Sequence, residues 1–192
     1  MSRRAGLTPD KVVEAALTIL DQEGADGLSL SRVAELTGVA TPSLYKHVAG
    51  LPGLRERVAQ QVIVRLTDRI RESVIGVSGD DAVRALMDAY RSYLVEFPNR
   101  AGLLVAPSDA PGHGGDLLAV AMAVLRGYGL EGSEAIHAAR GLRSSVHGFA
   151  VLEAAGGFGY PEDLDESFRR LVNLIVAGLR AAGAEGAPVR GR

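Results

Sequence analysis

At 192 residues, 47% hydrophobic and 23% charged, the chain has the composition of a globular protein of one domain, or of a small domain joined to a larger one, and not of a disordered or fibrous one. A formal charge of −2 excludes a protein that holds nucleic acid by bulk electrostatics, so any such contact must come from a local patch. Cysteine is absent, which excludes disulfides, thiolate metal sites and cysteine nucleophiles, and no apolar run approaches ~18 residues.

The N-terminal stretch Met-Ser-Arg-Arg-Ala-Gly-Leu-Thr has no apolar h-region, and the expectation is a cytoplasmic protein. Residues 1–7 form an arm carrying Arg3 and Arg4 and no acid, which reads either as a frayed terminus or as an arm able to reach a phosphate or a minor groove. Thr8 is a capping residue, and Pro9 suits the first helical position, where its missing N–H costs nothing. Val13, Ala16, Leu17 and Leu20 then recur at i, i+3, i+4 and i+7, the stripe of an amphipathic helix that Gly24 and Gly27 end.

The stretch from Leu28 to Val48 predicts two short helices joined by a tight turn. Ser29 or Ser31 caps the first, with Val33, Ala34 and Leu36 turned inward, and Gly38 closes it because glycine enters the left-handed region without a Cβ penalty. The second begins with Thr41 as its cap and Pro42 just inside, and ends near Gly50. At about 100° per residue, Leu44 and Val48 share one face. Lys46 then lies roughly opposite them, with Pro42 and Ser43 beside it and Tyr45 and His47 on the flanks. No Asp or Glu stands between Glu35 and Glu56, whereas Lys46, His47 and Arg55 do. An acid-free cationic face can approach phosphates, and two helices set across a short turn make the helix-turn-helix that lays a helix in the major groove.

These residues resemble the tetracycline-repressor (TetR) family of bacterial regulators. The matching positions are Ala15-Ala16, Gly24, Leu28-Ser29, Val33-Ala34, Gly38-Val39 and Ser43-Leu44-Tyr45-Lys46-His47-Val48, in order and spacing over Thr8 to Arg57. Two positions depart from the family pattern. Val48 stands where Phe is usual, and Ala49-Gly50-Leu51-Pro52-Gly53 lacks the Lys usual near the start of the next helix, which removes an expected phosphate contact. The resemblance implies an all-α fold, with an N-terminal three-helix helix-turn-helix DNA-binding domain and a larger helical ligand-binding and dimerisation domain. It also implies contacts to double-stranded DNA from Ser31, Arg32, Thr41, Pro42, Ser43, Tyr45, Lys46 and His47, with Arg3 and Arg4 of the arm added to them.

From Pro52 to about Ile75, Leu54, Val58, Val62, Leu66, Ile70 and Val74 recur every four residues. A spacing of four overshoots the helical repeat, so the stripe rotates by about 40° at each step. It cannot face one partner throughout, and the segment reads as a connecting helix whose first turns pack on the DNA-binding unit and whose last turns pack in the second domain. After Gly76 to Gly79, Asp80 caps a helix with Val83, Leu86, Met87, Tyr90 and Leu94 on one side, ending at Phe97-Pro98. A short helix around Arg100 to Val105 follows, then a Pro- and Gly-rich loop, 107–115, expected to be the most mobile part. Leu117, Ala121, Val124, Leu125 and Tyr128 mark the next helix.

Ser133 caps a long helix to about Ala155 that is rich in small residues. Its interior Gly141 and Gly148 each cost on the order of 1 kcal/mol relative to Ala, so close approach of another helix is expected there. The last helix runs from about Pro161 or Glu162 to Ala182 on the stripe Leu164, Phe168, Leu171, Val172, Ile175 and Leu179, and Gly183 to Arg192 is a disordered tail by composition. The expected domains are therefore residues 1–50 for DNA binding, 51–75 as connecting helix, 76–182 for ligand binding and dimerisation, and 183–192 as tail.

Ser145-Val146-His147-Gly148-Phe149 and Leu152-Glu153, before Gly156-Gly157-Phe158, resemble the C-terminal domain of the TetR subgroup marked by a His-Gly pair, without the Trp that often accompanies it. Met87, Tyr90, Tyr93, Met122, Arg143, His147 and Phe149 mix apolar bulk with a few polar groups in the middle of this domain and are the candidate ligand-binding residues. Catalytic patterns are missing: His47, His113, His137 and His147 are scattered, and no His-Glu-x-x-His, P-loop or Gly-x-Ser-x-Gly occurs. His113 with Asp116, and Ser144 with His147, are too incomplete for a metal site or an activated nucleophile.

The expectation is a transcriptional regulator and not an enzyme, with no metal and no cofactor: a repressor released from a near-palindromic operator by a small-molecule effector. One helix-turn-helix contacts only a few base pairs, so a homodimer through the last two helices is expected. The alternatives are an all-α ligand-binding or catalytic protein on a regulator fold without DNA function, and a DNA-binding protein that answers to no ligand.

Overall fold

The computed structural model describes residues 6–105 and 115–185, and every regular element among them is helical. The helices are α1 (Pro9–Gly27), α2 (Leu30–Thr37), α3 (Thr41–Leu44), α4 (Gly50–Ser73), α5 (Gly79–Glu96), α6 (Ala101–Val105), α7 (Gly115–Leu125), α8 (Gly132–Ala154) and α9 (Leu164–Glu185), with 3₁₀ turns at Pro98–Arg100 and Arg126–Tyr128. The arm with Arg3 and Arg4, the loop residues 107–114 with His113, and residues 186–192 lie outside the described residues. The chain divides into two compact units, Met1–Val64 with Phe97–Pro107, and Arg65–Glu96 with Ser108–Arg192.

In the first unit, Thr8 caps α1 by accepting from the Lys11 N–H at 3.3 Å, and the face bearing Val12, Ala16, Leu17, Ile19 and Leu20 is buried. Leu28, Val33, Ala34, Leu44, Val48, Leu54, Val58 and Val62 complete this core. Leu36, expected to point inward, is 48% exposed, because α2 is only two turns long and Val33 and Ala34 already occupy its buried side. The segment around the 3₁₀ turn, some 80 positions further along the chain than α1's end would suggest, is held to α1 by a buried ion pair: Arg100 Nε and Nη2 donate to the two Asp21 carboxylate oxygens at 2.8 and 2.7 Å. The Asn99 amide adds a bond to the Asp21 carbonyl, and the Phe97 ring lies 3.7 Å from the Arg100 guanidinium carbon.

In the second unit, α5 packs against α7, α8 and α9. Leu66 and Ile70 of α4, Val83, Met87 and Leu94 of α5, and Val146 and Ala150 of α8 are buried there with Phe168 and Val172 of α9. Several helix starts differ from those expected. Gly79, not Asp80, opens α5, and the Asp80 carboxylate instead accepts from the Tyr128 hydroxyl at 2.8 Å and pairs with Arg180. Burial alone would raise this carboxyl; the Tyr128 hydroxyl and Arg180 hold it below the usual carboxylate range. The N-cap of α8 is Glu131, ahead of Ser133, and α9 starts at Leu164, where Asp163 Oδ1 accepts from the Asp165 and Glu166 N–H groups.

The expected tail also starts later, since α9 continues to Glu185. Gly183 is why it can: a Cβ there would overlap the Tyr128 carbonyl, so only glycine lets the last turn lie against that backbone. At Gly141 and Gly148, by contrast, nothing lies within 4 Å of where a Cβ would stand, so the close approach expected of them is not made within this chain.

Removing one partner of a buried pair leaves the other charge desolvated and unmatched, whereas removing both with apolar replacements is far milder. Asp21→Ala is therefore expected to cost roughly 3 kcal/mol of stability, and Asp21→Leu combined with Arg100→Met to recover most of it. Urea unfolding of the two variants and the parent checks this; equal loss in the single and double variants contradicts it.

Candidate nucleic-acid interface

The helix-turn-helix is set by backbone geometry at its turn. Ser29 caps α2, accepting from the Arg32 N–H at 3.2 Å, while Ser31 sits inside the helix with its hydroxyl 3.1 Å from that of Ser29. Gly38, at φ 69° and ψ 31°, closes α2: its N–H bonds the Glu35 carbonyl and the Val39 N–H bonds the Ala34 carbonyl. This pair of reverse bonds satisfies the last carbonyls of α2 and turns the chain sharply. The cap before α3 is Ala40, without a side-chain bond, and Thr41 and Pro42 occupy the first helical positions. Thr41 is thus a surface residue of the helix and not its cap.

Regular helical structure in α3 stops at Leu44, short of the expected Gly50; the His47 and Val48 N–H groups still bond back to the Leu44 carbonyl, so the turn stays compact. Leu44 and Val48 are buried at 0% and 4% exposure and anchor the element, as their shared face requires. Pro42, Tyr45 and Lys46 are exposed, and Thr41, Ser43 and His47 are half-buried.

Charge separates the cations of this unit into two kinds. The Arg32 guanidinium bonds Glu23 at 2.8 Å and Glu35 at 2.9 Å, and these two carboxylates, Glu23 first, raise its pKa above the ordinary arginine value. Arg100 is chelated by Asp21. Lys46, Arg55 and Arg57, all on the α3 to α4 stretch, are exposed and make no hydrogen bond or ion pair with any described residue. Arg32, expected to contact DNA, is thereby matched inside the unit, and Arg57 joins the free set. Sequence reading passed over Arg57 because it stands one residue beyond Glu56, where the acid-free window ends.

In the second unit the candidate ligand-binding residues fall into separate places. Met87, Tyr90 and Tyr93 are buried on α5, Met122 is half-buried on α7, Arg143 is exposed on α8, and His147 and Phe149 are half-buried there. The structure brings three of them together: Tyr90 Oη lies 3.1 Å from His147 Nδ1, the rings meet edge to face, and Arg143 bonds Tyr90. Burial, and then the Arg143 charge, push the His147 imidazole down from its ordinary value, which keeps it neutral near pH 7.

Phe149 belongs to a different cluster. Its ring stands 4.8 Å from Phe158 and 5.0 Å from Phe168, with the Arg91 guanidinium over Phe149 and Phe168, and Arg91 is held by Glu153 and Asp165. Tyr93 instead lies beneath Arg69, 5.9 Å from ring centre to guanidinium carbon. No helix among the described residues is long and apolar enough to cross a membrane.

Comparison with known proteins places this geometry among relatives. Residues 83–175 match the family described as "Tetracyclin repressor-like, C-terminal domain". The chain is 38% identical to the HTH-type transcriptional regulator YobS of Bacillus subtilis, across 93% of this chain and 96% of that one. It is 35% identical to an HTH-type transcriptional regulator of Mycobacterium tuberculosis, across 97% and 88%. Among solved structures, apo ActR of Streptomyces coelicolor superposes with a TM-score of 0.78 at 25% identity, covering 96% of this chain and all of that one. The same protein in complex with actinorhodin superposes with a TM-score of 0.76 at 24% identity, covering 95% of this chain and 100% of that one.

Proposed function

From its place in the tetracycline-repressor family of helix-turn-helix transcriptional regulators, to which this chain belongs, we propose that it is a repressor that binds a near-palindromic operator as a homodimer, lets go when a small molecule occupies its second unit, and acts in the cytoplasm without catalysing a reaction. The observation that carries the DNA-binding part is the set of free cations on the helix-turn-helix, Lys46, Arg55 and Arg57, in a unit whose other arginines are neutralised by its own carboxylates. Thr41, Pro42, Ser43, Tyr45 and His47 then read base edges and position the backbone, Lys46 meets a phosphate, and Ser31 lies on the exposed side of α2 within reach of the backbone. Arg3 and Arg4 would add contacts from the arm.

The proposed dimer pairs α8 and α9 with their symmetry mates. What supports it is apolar surface with no cover in the single chain: Leu174 is 72% exposed, Leu171 and Ile175 are half-exposed on the same side of α9, and the open glycines 141 and 148 of α8 leave room for another helix. Tyr90, Arg143 and His147 are the polar groups proposed to orient the effector, with Met87 and Met122 supplying apolar contact. ActR, solved with actinorhodin, is a relative of this fold that takes such a ligand.

The direct test is a gel shift against the DNA upstream of the protein's own gene, repeated with candidate ligands. Lys46→Ala is expected to weaken binding across all sequences alike and to lower the slope of log K against log salt by about 1; an unchanged slope removes Lys46 from the phosphate contacts.

Light scattering at micromolar concentration without DNA is expected to show two chains per particle, and a monomer counts against the α8–α9 pairing.

The ligand signal is proposed to travel along α4, one continuous helix that contributes Leu54 and Val58 to the first unit and Leu66 and Ile70 to the second. Coupling of this kind is typically ~1 to 3 kcal/mol, or roughly 5- to 150-fold in DNA affinity. Replacing Gln60-Gln61 by Gly-Gly softens the helix and is expected to leave DNA binding measurable while the ligand no longer releases it; an unchanged release factor means the signal takes another route.

A further inference from the structure

Beside the recognition element lies a cleft of about 520 Å³, walled on one side by the turn from Tyr45 to Ala49 and on the other by Gly53, Glu56, Arg57 and Gln60 of α4. Its chemistry is that of an anion seat. Lys46 and Arg57 face it with no carboxylate partner among the described residues. The only acid on its wall, Glu56, forms no ion pair with either of them; its carboxylate accepts from the Gln60 amide one turn along the same helix, at 3.4 Å. The floor is kept open by small residues, since a Cβ on Gly53 would stand 3.1 Å from the Ala49 methyl. An unpaired guanidinium presents a planar fork that matches two oxygens of one phosphate, and beside an ammonium it makes a site for a single phosphodiester group.

Resting on the DNA-binding reading above, we propose that this cleft seats one phosphate of the DNA backbone at the flank of the recognition helix, with Arg57 as its positioning residue and Lys46 as the second cation. The cleft shares Tyr45, Lys46 and His47 with the surface that meets the duplex, so a strand running past Tyr45, which is 61% exposed, passes its mouth. Arg55, equally exposed and unpaired, does not line it, and this separates a built seat from general positive charge.

The experiment is a potassium chloride titration of binding, by fluorescence anisotropy, to a duplex from the upstream region that the wild-type protein shifts. Arg57→Gln is expected to lower the salt slope by about 1 and to weaken binding about eightfold near 0.1 M salt, with the order of preference among duplexes unchanged. Arg57→Lys keeps the slope, Arg55→Gln leaves it at the wild-type value, and Glu56→Gln tightens binding. Inorganic phosphate competes no better than chloride of equal ionic strength, as a seat for a duplex phosphate requires. A slope unchanged in Arg57→Gln, or lowered equally in Arg55→Gln, overturns the proposal while leaving the DNA-binding reading intact. Displacement of the duplex by free phosphate at matched ionic strength reassigns the cleft to a small anion and overturns it too. A wild-type protein that shifts no duplex overturns that reading and this proposal with it.

Discussion

The apolar stripe of α4 is the constraint on which both compact units depend. Leu54, Val58, Val62, Leu66 and Ile70 are each fully buried, and they recur at a spacing that turns by about 40° per step around the helix. A stripe that stayed on one face would serve one core. This one supplies the first unit up to Val62 and the second from Leu66 onward. Burial of each such side chain is worth roughly 1.5 to 3 kcal/mol, so neither end of α4 is free to leave its core cheaply. The α3 anchor residues Leu44 and Val48 pack in the same core as Leu54 and Val58, which ties the short recognition element to the longest helix of the chain.

Charge is distributed by function and not by composition. The formal charge is only −2, and most arginines of the second unit are matched: Arg69 with Glu96, Arg71 with Asp68, Arg91 with Glu153 and Asp165, Arg180 with Asp80. Exposed pairs of this sort contribute little to stability, typically ~0 to 1 kcal/mol. Their effect is to remove positive charge from surfaces where it has no use. Lys46, Arg55 and Arg57 stand out because no carboxylate reaches them, and a locally uncompensated field is what attracts a polyanion when the net charge does not.

The second unit combines a rigid frame with one polar cluster. Arg91, clamped by two carboxylates and stacked over Phe149 and Phe168, joins α5, α8 and α9 at one end. Asp80, Tyr128 and Arg180 join α5, the 3₁₀ turn and α9 through a second set of charge-assisted bonds. Tyr90, Arg143 and His147 belong to neither lock, which leaves their polar groups available to a ligand. Phe149 shows how a residue of the right type, one turn from the right place, is committed to packing instead.

Local chemistry alone was enough to place most of the helices. Thr8, Ser29 and Gly38 act at helix ends because capping and left-handed closure depend only on neighbouring backbone, and the stripes of α1 and α4 follow from the helical repeat. The helix-turn-helix, and with it the resemblance to one family, was legible for the same reason. What the tertiary structure decided involves partners distant in sequence. That Phe97–Pro107 gathers with the first unit depends on Arg100 meeting Asp21, 79 positions away, and no periodicity encodes such a pair. Arg32 looked like a free cation until Glu23, nine positions back on another helix, came within 2.8 Å. The last turn of α9 continues past Gly183 because the Tyr128 backbone occupies the space of a side chain there. A sequence records which charges and shapes exist; whether a charge is matched or a space filled depends on which distant groups the fold brings within a few ångströms, where desolvation and excluded volume act.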